Sequence, residues 1–246
     1  MILRFLHWNI LFKEKIDNIL SFINYLSPDT ICLNELSNGL KFNNKIDTAV
    51  YLAQKLHFDH FTKKYMDWKG DESQLVESGI FSYFPIIRKK FHYTKSLSYD
   101  KALGIKKGSV YLEAEIKVNR RKLIFATDHL SYTSGLIETK DKFSEVEKLT
   151  EILKRNKKNF VFSGDLNAPP TSYTIKKIQN YLVNCGPSLR QKTAFTKESL
   201  DPLGWKLDFR WRLDYVFATK DMVVKSAKIV NTFKSDHLPI LVEFVV

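Results

Sequence analysis

The segment Val161–Asn167, with the sequence Val-Phe-Ser-Gly-Asp-Leu-Asn, carries two polar side chains suited to chemistry on a phosphate. Its apolar run ends at Gly164, and Asp165 and Asn167 follow at a spacing of two. In extended backbone, residues i and i+2 point the same way, so both should project together from the end of a buried strand. A carboxylate can handle a water or a metal ion, and an amide can hydrogen-bond a phosphate oxygen. An Asx-turn after a strand end is the structural alternative, and this segment alone leaves both interpretations open.

Polar residues also stand at the ends of other apolar runs. Asn9 lies at the end of the first, Ile2–Ile10, and Glu35 follows the second, Thr30–Leu33. Helical spacing of apolar residues predicts a helix at Lys13–Leu26 between them. The carboxyl ends of parallel strands share one edge of a sheet, so this β-α-β unit should bring Asn9 and Glu35 together. The other polar residues at or near predicted strand ends are His129, Asp214, Asp236 and His237.

This set consists of carboxylate, amide and imidazole groups, without cysteine and without His-rich spacing. Buried carboxylates need partners or a cation. Oxygen ligands suit a hard cation such as Mg²⁺ better than they suit zinc. The pattern therefore indicates a magnesium-type site at a sheet edge.

Periodicity predicts the elements that position these residues. Two segments are predicted to be loops, the polar stretch Met66–Gln74 and the basic stretch Lys101–Gly108. The region Asn184–Lys206 has no periodicity, and long loops of this kind are often functional. No repeat, linker or low-complexity segment divides the chain, so we expect one domain over residues 1–246. Further predicted helices are Lys45–His57, Glu138–Arg155 and Ser172–Leu182, and further predicted strands are Phe58–Tyr65, Gly79–Phe84, Ser109–Val118, Lys122–Asp128, Arg212–Thr219, Met222–Val230 and Leu238–Val246.

Composition limits the class of protein. The chain is 44% hydrophobic and 27% charged, enough for a sizeable core and unlike a disordered sequence. Lys and Arg total 39 against 27 Asp and Glu, and the net charge of +12 favours a polyanionic partner. The cysteines Cys32 and Cys185 do not form a disulfide framework, so we expect a reducing, cytoplasmic location. The N-terminus does not match a signal peptide, and no apolar run reaches membrane-spanning length, so we expect no stable membrane insertion. We also expect the protein to be a monomer.

Seven motifs in order resemble the endonuclease/exonuclease/phosphatase superfamily, whose fold is that of deoxyribonuclease I. Each is weak alone, but together they extend from the first predicted strand to the last. The resemblance implies an α+β fold, a four-layer α/β sandwich in which two packed mixed β-sheets are flanked by helices. The motifs are Trp8–Ile10, Leu33–Leu36, Ser78–Ile86, Asp128–Leu130, Gly164–Asn167, Arg212–Val216 and Ser235–Pro239.

The resemblance also implies Mg²⁺- or Mn²⁺-dependent hydrolysis of a phosphate ester. Glu35 would be the principal metal ligand, with Asn9 and Asp236 at or next to the metal. Asp165 would align and deprotonate the attacking water, and Asn167 would hold the phosphate. The general base is left open, because a histidine–aspartate pair is the alternative to Asp165.

The remaining roles concern histidines. His237 would donate to a phosphate oxygen, and Asp214 would support its imidazolium, since an opposite charge favours the charged form. His129 would lie near the phosphate or the leaving oxygen, with Glu77 as a weaker candidate to orient it. Members acting on abasic DNA commonly have an acidic residue where this chain has Leu11, and they tend to lack the histidine. The sequence thus looks more like the deoxyribonuclease I, deadenylase, sphingomyelinase and tyrosyl-DNA phosphodiesterase branches.

The substrate remains open between hypotheses of different classes. Cleavage of DNA or RNA is favoured by the charge and by the basic clusters Arg88–Lys90, Lys106–Lys107, Arg120–Lys122 and Lys154–Lys158, although Arg120–Lys122 should lie opposite the active edge. Trp68, Tyr132 and Trp205 are candidates to stack on bases. The alternatives are a phosphatase or phospholipase acting on inositol, lipid or other small phosphate esters, and a non-catalytic binding module.

Overall fold

The computed structural model describes residues 1–68, 71–101, 104–195 and 209–246. In these ranges the chain forms the helices α1 (Ile16–Leu26), α2 (Thr48–Leu56), α3 (Lys140–Leu153) and α4 (Tyr173–Gln179). The strands are β1 (Ile2–Asn9), β2 (Thr30–Asn38), β3 (Asp59–Trp68), β4 (Asp71–Ser82), β5 (Ile86–Asp100), β6 (Ile105–Val118), β7 (Arg121–His129), β8 (Phe160–Asp165), β9 (Val183–Asn184), β10 (Ala194–Phe195), β11 (Phe209–Trp211), β12 (Asp214–Ala218), β13 (Val223–Ile229) and β14 (Ile240–Val245).

One hydrogen-bonded array of strands curls back on itself. Its order is β13-β14-β1-β2-β4-β3-β6-β7-β8-β12-β9, and β5 adds to β6. The turning point is β6, where residues 105–107 pair with β3 and residues 112–118 pair with β7. The array therefore has two halves, which we call the first half-sheet (β13, β14, β1, β2, β4, β3) and the second half-sheet (β5, β6, β7, β8, β12, β9).

The two half-sheets pack face to face around an apolar core. Phe5 of β1 stacks on Phe125 of β7 with ring centroids 5.3 Å apart, and the buried Cys32 thiol lies 3.9 Å from the Ala126 carbonyl oxygen. Apolar residues of α1 and α2 cover the outer face of the first half-sheet, and those of α3 and α4 cover the second. The four-layer α+β sandwich predicted from the sequence is thereby confirmed.

Apolar spacing determines which helix face is buried, and capping side chains mark where α2, α3 and α4 begin. In α1 the residues Ile16, Ile19, Ile23 and Leu26 are buried at helical spacing, which fixes the face turned to the sheet. The Asp47 carboxylate accepts backbone N–H bonds from the first turn of α2, and Thr139 and Ser172 do the same for α3 and α4. Within the described residues, no helix is long and apolar enough to cross a membrane.

Two loop predictions are wrong. Met66–Gln74 lies largely in strands, since β3 continues to Trp68 and β4 begins at Asp71. The predicted loop Lys101–Gly108 contains the start of β6 at Ile105. Both errors have the same cause, because these polar segments pair with each other, Met66 opposite Lys107. Tertiary pairing overrides local polarity where a strand edge faces solvent.

Candidate active site

Parallel pairing gathers the predicted polar residues at one edge of the two half-sheets. Asn9 at the end of β1 stands opposite Asn34, where the pairing with β2 stops although β2 itself continues to Asn38. His129 stands opposite Asp165 at the ends of β7 and β8. Asp214 begins β12, which runs antiparallel to β8 and places it opposite Asp165. The segment before β14 adds Asp236 and His237 to the same edge, because β14 runs antiparallel to β1.

Close approach of β7 and β8 depends on Gly164. A Cβ at this position would lie 2.2 Å from the Asp128 carbonyl oxygen, a distance that no side chain can occupy. The glycine therefore lets the two strands pack with His129 beside Asp165, whose Oδ2 is 3.4 Å from His129 Nε2. This explains the glycine directly before Asp165 in the sequence.

Asp165 lies at the centre of the site. Its Oδ1 accepts a bond of 3.0 Å from the Asn167 backbone N–H, which is the Asx-turn that the sequence left open. Its Oδ2 faces Asn9 Nδ2 at 3.1 Å and His237 Nε2 at 3.7 Å, in addition to His129. One carboxylate oxygen thus supports the turn, which confirms the structural interpretation, while the other is surrounded by donors, and the functional interpretation stays a prediction.

Burial alone raises the pKa of Asp165, but the charge of His237 and the hydrogen bond from His129 outweigh it, and the net shift is downward. The carboxylate is therefore ionised at neutral pH. The Asp165 backbone N–H is in turn held by the buried Asn34 side chain, whose Oδ1 accepts it at 3.1 Å.

A buried His–Asp–His chain backs the site. His237 Nδ1 donates to Asp214 Oδ2 at 2.8 Å, and Asp214 Oδ1 lies 3.3 Å from His7 Nε2. Thr193 Oγ1 accepts the backbone N–H of Asp214 at 3.1 Å. Burial alone lowers the pKa of His237, but the charges of Asp214 and Asp165 raise it well above the usual 6.5. Burial raises and His237 lowers the pKa of Asp214, with a net downward shift. The pair is therefore an imidazolium–carboxylate pair at neutral pH.

His129 is oriented by Tyr65, a residue that the sequence analysis missed. The Tyr65 hydroxyl lies 3.0 Å from His129 Nδ1, with the rings edge to face. Burial lowers the pKa of His129, but the hydrogen bond and charge of Asp165 and the charge of Glu35 give a net rise. Glu77, the sequence candidate for this orienting role, instead accepts from Thr62 Oγ1 at 3.4 Å, so that expectation is wrong.

Asn167 closes the site beside His129. Its Nδ2 donates to the Leu130 carbonyl at 2.9 Å and lies 3.2 Å from His129 Nε2. The backbone φ of Asn167 is 45°, in the left-handed region that asparagine tolerates better than most residues. This conformation directs the amide back toward the end of β7.

A bulge in β2 aims Asn34 and Glu35 in different directions. The β2–β4 register shifts between Leu33 and Leu36, and Glu35 has φ 65°, which is strained for a residue with a side chain. Asn34 is fully buried and donates to Ser78 Oγ at 2.9 Å, whereas Glu35 lines the cleft. Strained bulges of this type re-aim side chains next to active sites.

The surroundings of Glu35 fit a hard cation. Asn9 Nδ2 donates to Glu35 Oε1 at 3.0 Å, and the Phe12 N–H donates to Oε2 at 3.3 Å. Burial and the charge of Asp236 raise the pKa of Glu35, although His129 opposes them. Among the described residues, no lysine or arginine forms an ion pair with Glu35 or Asp236. A half-buried carboxylate facing a second carboxylate favours a divalent cation as its counter-charge.

A second group of potential ligand atoms fits a metal less well. Atoms of Asp165, Asp214 and His237 lie within 4.8 Å of one another. However, Asp214 is fully buried and its oxygens face His7 and His237, so this group is already satisfied internally. Glu35 and Asp236, which line the cleft, are the better cation ligands.

The cleft has a volume of about 590 Å³. Tyr132 and Trp211 both line it, and Tyr132 is 60% exposed. Trp68 does not line the cleft but packs on Phe12, which does, with centroids 5.4 Å apart. Trp205 lies outside the described residues.

The basic clusters are distributed unevenly around this cleft. Lys107 lines it. Arg120–Lys122 lies at the β6–β7 turn and Lys154–Lys158 precedes β8, so both are at the opposite edge, as expected for the first. Arg88–Lys90 pairs with residues 113–115 of β6, also away from the cleft.

Besides Tyr65, sequence reasoning assigned no role to His7, Asn34 and Thr193. Asn34 directly precedes Glu35, and His7 lies two positions before Asn9. A search for polar residues at strand ends that was extended by one or two positions could therefore have found both. Tyr65 and Thr193 carry no such local signal, because they reach the site only through pairing between distant segments.

The sequence matches a known protein family, and the fold is similar to solved structures. Residues 6–237 match the model of the Endonuclease/Exonuclease/phosphatase family. No curated protein matches the sequence. Similar solved structures include an endonuclease/exonuclease/phosphatase from Beutenbergia cavernae, with TM-score 0.73, 19% identity, and coverage of 99% of this chain and 71% of that one.

Two further structures are similar. The Bacteroides thetaiotaomicron mannosyl-6-phosphatase has TM-score 0.72 and 16% identity, covering 99% of this chain and 100% of that one. The human Nocturnin catalytic domain with bound sulfate has TM-score 0.67 and 21% identity, covering 99% and 94%. At these identities the likeness concerns the fold.

Proposed function

The chain belongs to the endonuclease/exonuclease/phosphatase family and is a hydrolase of that family, and from this premise we propose that it is a divalent-metal-dependent phosphodiesterase that cleaves nucleic acid. The observation that carries the proposal is the surroundings of Asp165 Oδ2. An ionised carboxylate oxygen lies in a cleft within 3.7 Å of two imidazoles, beside an amide and a Glu–Asp pair. These groups suit attack of water on a phosphorus atom.

Asp165 is the group that aligns and deprotonates the water. Its ionised state leaves it free to accept a proton, and the Asx-turn fixes its orientation. His237 is the donor to a phosphate oxygen, because Asp214 holds its Nδ1–H and leaves Nε2–H directed to the cleft. A histidine that is protonated at neutral pH does not act as the base, and a carboxylate whose pKa is lowered is a weak base, so what favours Asp165 is its position in the cleft and not its basicity.

Asn167 and His129 bind the phosphate from the opposite side of the cleft. The Asn167 amide and the His129 Nε2 are 3.2 Å apart and both line the cleft. A pentavalent transition state has more negative charge on its oxygens than the substrate has, so these donors stabilise it more than they stabilise the ground state.

Glu35 and Asp236 would hold a Mg²⁺ or Mn²⁺ ion. When bound, the ion supplies positive charge to a phosphate oxygen and to the leaving group. Asn9 would lie beside the ion and link it to Asp165, since its amide nitrogen donates to both Glu35 and Asp165 and its oxygen accepts the Leu11 N–H at 3.1 Å.

An aromatic and basic surface beside Glu35 supports a nucleic-acid substrate. We call it the aromatic ledge: Phe12, Phe42 and Trp68, with Phe12 contacting both others. Lys13 Nζ is 5.4 Å from the Phe12 ring centroid, and Lys41 Nζ is 5.9 Å from that of Phe42. Aromatic rings next to cations bind single-stranded nucleic acid by stacking and phosphate contact. The three ledge rings are half-buried, and Tyr132, which is 60% exposed, adds a further ring that lines the cleft.

A small phosphate ester is the second candidate substrate. The observation in its favour is the charge distribution, because three of the four basic clusters lie away from the cleft. The similar fold of a mannosyl-6-phosphatase is compatible with it. Under this alternative the ledge would contact only the leaving group.

The test is a cleavage panel with metal-stripped protein, with and without added Mg²⁺ or Mn²⁺. The substrates are single- and double-stranded DNA, RNA, and inositol and sugar phosphates. Nucleic-acid cleavage should require the metal, and affinity should fall with salt at a log–log slope of about −0.7 per phosphate contacted on a single strand. Lys13→Gln with Lys41→Gln should reduce that slope, whereas the matched pair Arg120→Gln with Arg121→Gln, at the opposite edge, should not. A shallow slope with faster hydrolysis of sugar or inositol phosphates would establish the phosphatase instead.

A further inference from the structure

Helix α3 carries a lysine that is almost completely enclosed. Lys142 is 1% exposed, although lysine is rarely buried without a partner. Its Nζ donates to the Ser131 carbonyl at 2.7 Å and to the Leu166 carbonyl at 2.8 Å. Ser131 lies two residues after His129, and Leu166 lies between Asp165 and Asn167. One ammonium group therefore joins the two segments that carry His129, Asp165 and Asn167.

The next turn of the same helix face holds one of these segments from a second side. The Glu145 carboxylate, also 1% exposed, accepts the Ser131 N–H at 3.0 Å and the Ser131 hydroxyl at 3.3 Å. Ser131 is thus fixed through its N–H by Glu145 and through its carbonyl by Lys142. Burial lowers the pKa of Lys142, but the charges of Glu145, Asp165 and Asp128 oppose this.

Packing of the hydrophobic core does not by itself explain why the Lys142 ammonium group is buried. A buried ammonium loses its hydration, and an apolar side chain of similar length would fill the space without that penalty. Its two carbonyl partners belong to the two segments whose separation sets the distance between His129 and Asp165. Within the part of the chain that the structure describes, no catalytic side chain accepts a hydrogen bond from Lys142, so its action on the site is indirect.

We propose that Lys142 is a positioning residue for the phosphate-ester hydrolysis described above. It clamps the ends of β7 and β8 at the separation that places His129 and Asn167 on one side of the phosphate and Asp165 in line with the water. It also adds a fixed positive charge behind a site in which negative charge develops. The proposal rests on the proposed function, and a spectroscopic measurement keeps the two separable.

The experiment compares Lys142→Met with wild type and with Lys148→Met, an exposed lysine on the same helix. Methionine matches the length of lysine without its charge or donors. Lys142→Met should lower kcat by roughly tenfold to a hundredfold with KM within about twofold, because displacement of the reacting groups affects the transition state most. Thermal stability should fall, because the Ser131 and Leu166 carbonyls lose their donor, so kinetics and spectra are measured well below the unfolding temperature of the variant. Lys148→Met should change neither kinetics nor spectra.

The readout independent of activity is the ¹⁵N spectrum of the histidine rings. Lys142→Met should shift the His129 ring resonances and weaken their response to added inorganic phosphate. If Lys142→Met does not fold, Lys142→Gln, which retains one donor to a carbonyl, is measured in the same way. Unchanged kcat together with unshifted His129 resonances would overturn the positioning role. A wild-type protein that hydrolyses no phosphate ester would refute the proposed function, while the His129 spectra would still test the clamp.

Discussion

Replacement of Asp214 by Asn removes one charge from the centre of the buried His–Asp–His chain while keeping its shape. Asp214 accepts from His237 Nδ1 at 2.8 Å and faces His7 Nε2 at 3.3 Å, with no exposed surface. An amide offers one oxygen and one N–H₂ group in place of two acceptors. One of the two histidines must therefore meet a donor, and the imidazolium of His237 loses its counter-charge.

The size of the effect follows from this loss. Breaking a buried charge pair by removing one partner destabilises a protein by ~3–5 kcal/mol. Turnover should fall on the order of 10³-fold, because His237 then lacks the charge and the orientation needed to donate to the phosphate. Substrate affinity should change less, since Asn167 and His129 remain in place.

The pH dependence of stability has a definite sign. The pKa of Asp214 is lowered from 3.8, so its contribution is present above that value and is lost as the pH falls through the lowered pKa. The pKa of His237 is raised above 6.5, so its contribution is present below 6.5 and is lost as the pH rises through the raised pKa. The stability difference between wild type and Asp214→Asn should therefore be greatest between these two ordinary values.

The assay is urea unfolding of both proteins across pH 4 to 10, together with kcat and KM on the best substrate of the panel and histidine ¹⁵N spectra. Asp221→Asn is the control, because Asp221 caps the Asn159 N–H at the opposite edge of the sheet. A stability difference that is flat with pH, or an unchanged kcat, would refute the pairing of Asp214 with His237 as the source of the effect.

Three other substitutions test separate features of the site. Glu35→Gln should weaken metal dependence and reduce turnover about a hundredfold, measured as activity against Mg²⁺ concentration; a normal rate at saturating Mg²⁺ would remove Glu35 from the site. Asp165→Asn should retain phosphate binding but abolish turnover, since an amide does not accept the proton of water; lost affinity with a normal rate would reassign it to binding. Asp128→Asn should flatten the pH dependence of stability, because burial and the charge of Glu145 raise the pKa of Asp128 to about 8. The wild type should therefore lose up to about 1.4 kcal/mol of unfolding free energy per pH unit as the pH rises from the unfolded value of 3.8 to 8. Urea midpoints of the wild type and the variant that neither converge nor cross as the pH rises would contradict this.

Much of the site followed from the sequence because strand ends are readable. An apolar run followed by Asn9, and another followed by Glu35, predicted two side chains at one sheet edge, and β1 and β2 pair in that parallel register. The sequence also put Asp165 and His129 at or near strand ends, and the structure brings them together through parallel pairing of β7 and β8. In each case the buried strand and the polar group are adjacent in sequence, so no knowledge of distant pairing was needed.

Other features have no local signal. Tyr65 lies at the end of the predicted strand Phe58–Tyr65, and it reaches His129 because the residues after it pair with the start of β6. Those following residues are polar enough to be predicted as a loop. Lys142 occupies a position on α3 that the helical pattern alone assigns to a charged surface. Its burial results from the carbonyl groups above it, which only the folded chain brings together.

The candidate active site crosses the boundary between the two half-sheets, so the inner core would contribute to positioning its groups. The first half-sheet contributes Glu35 and His237, and the second contributes His129 and Asp165. Asn34 connects them beneath the cleft, since it donates to Ser78 of the first half-sheet and accepts the Asp165 N–H of the second. The His7–Asp214 contact crosses the same boundary. Because the groups that would hold the ion and those that would activate water lie on opposite half-sheets, the packing between the sheets sets the distance between them.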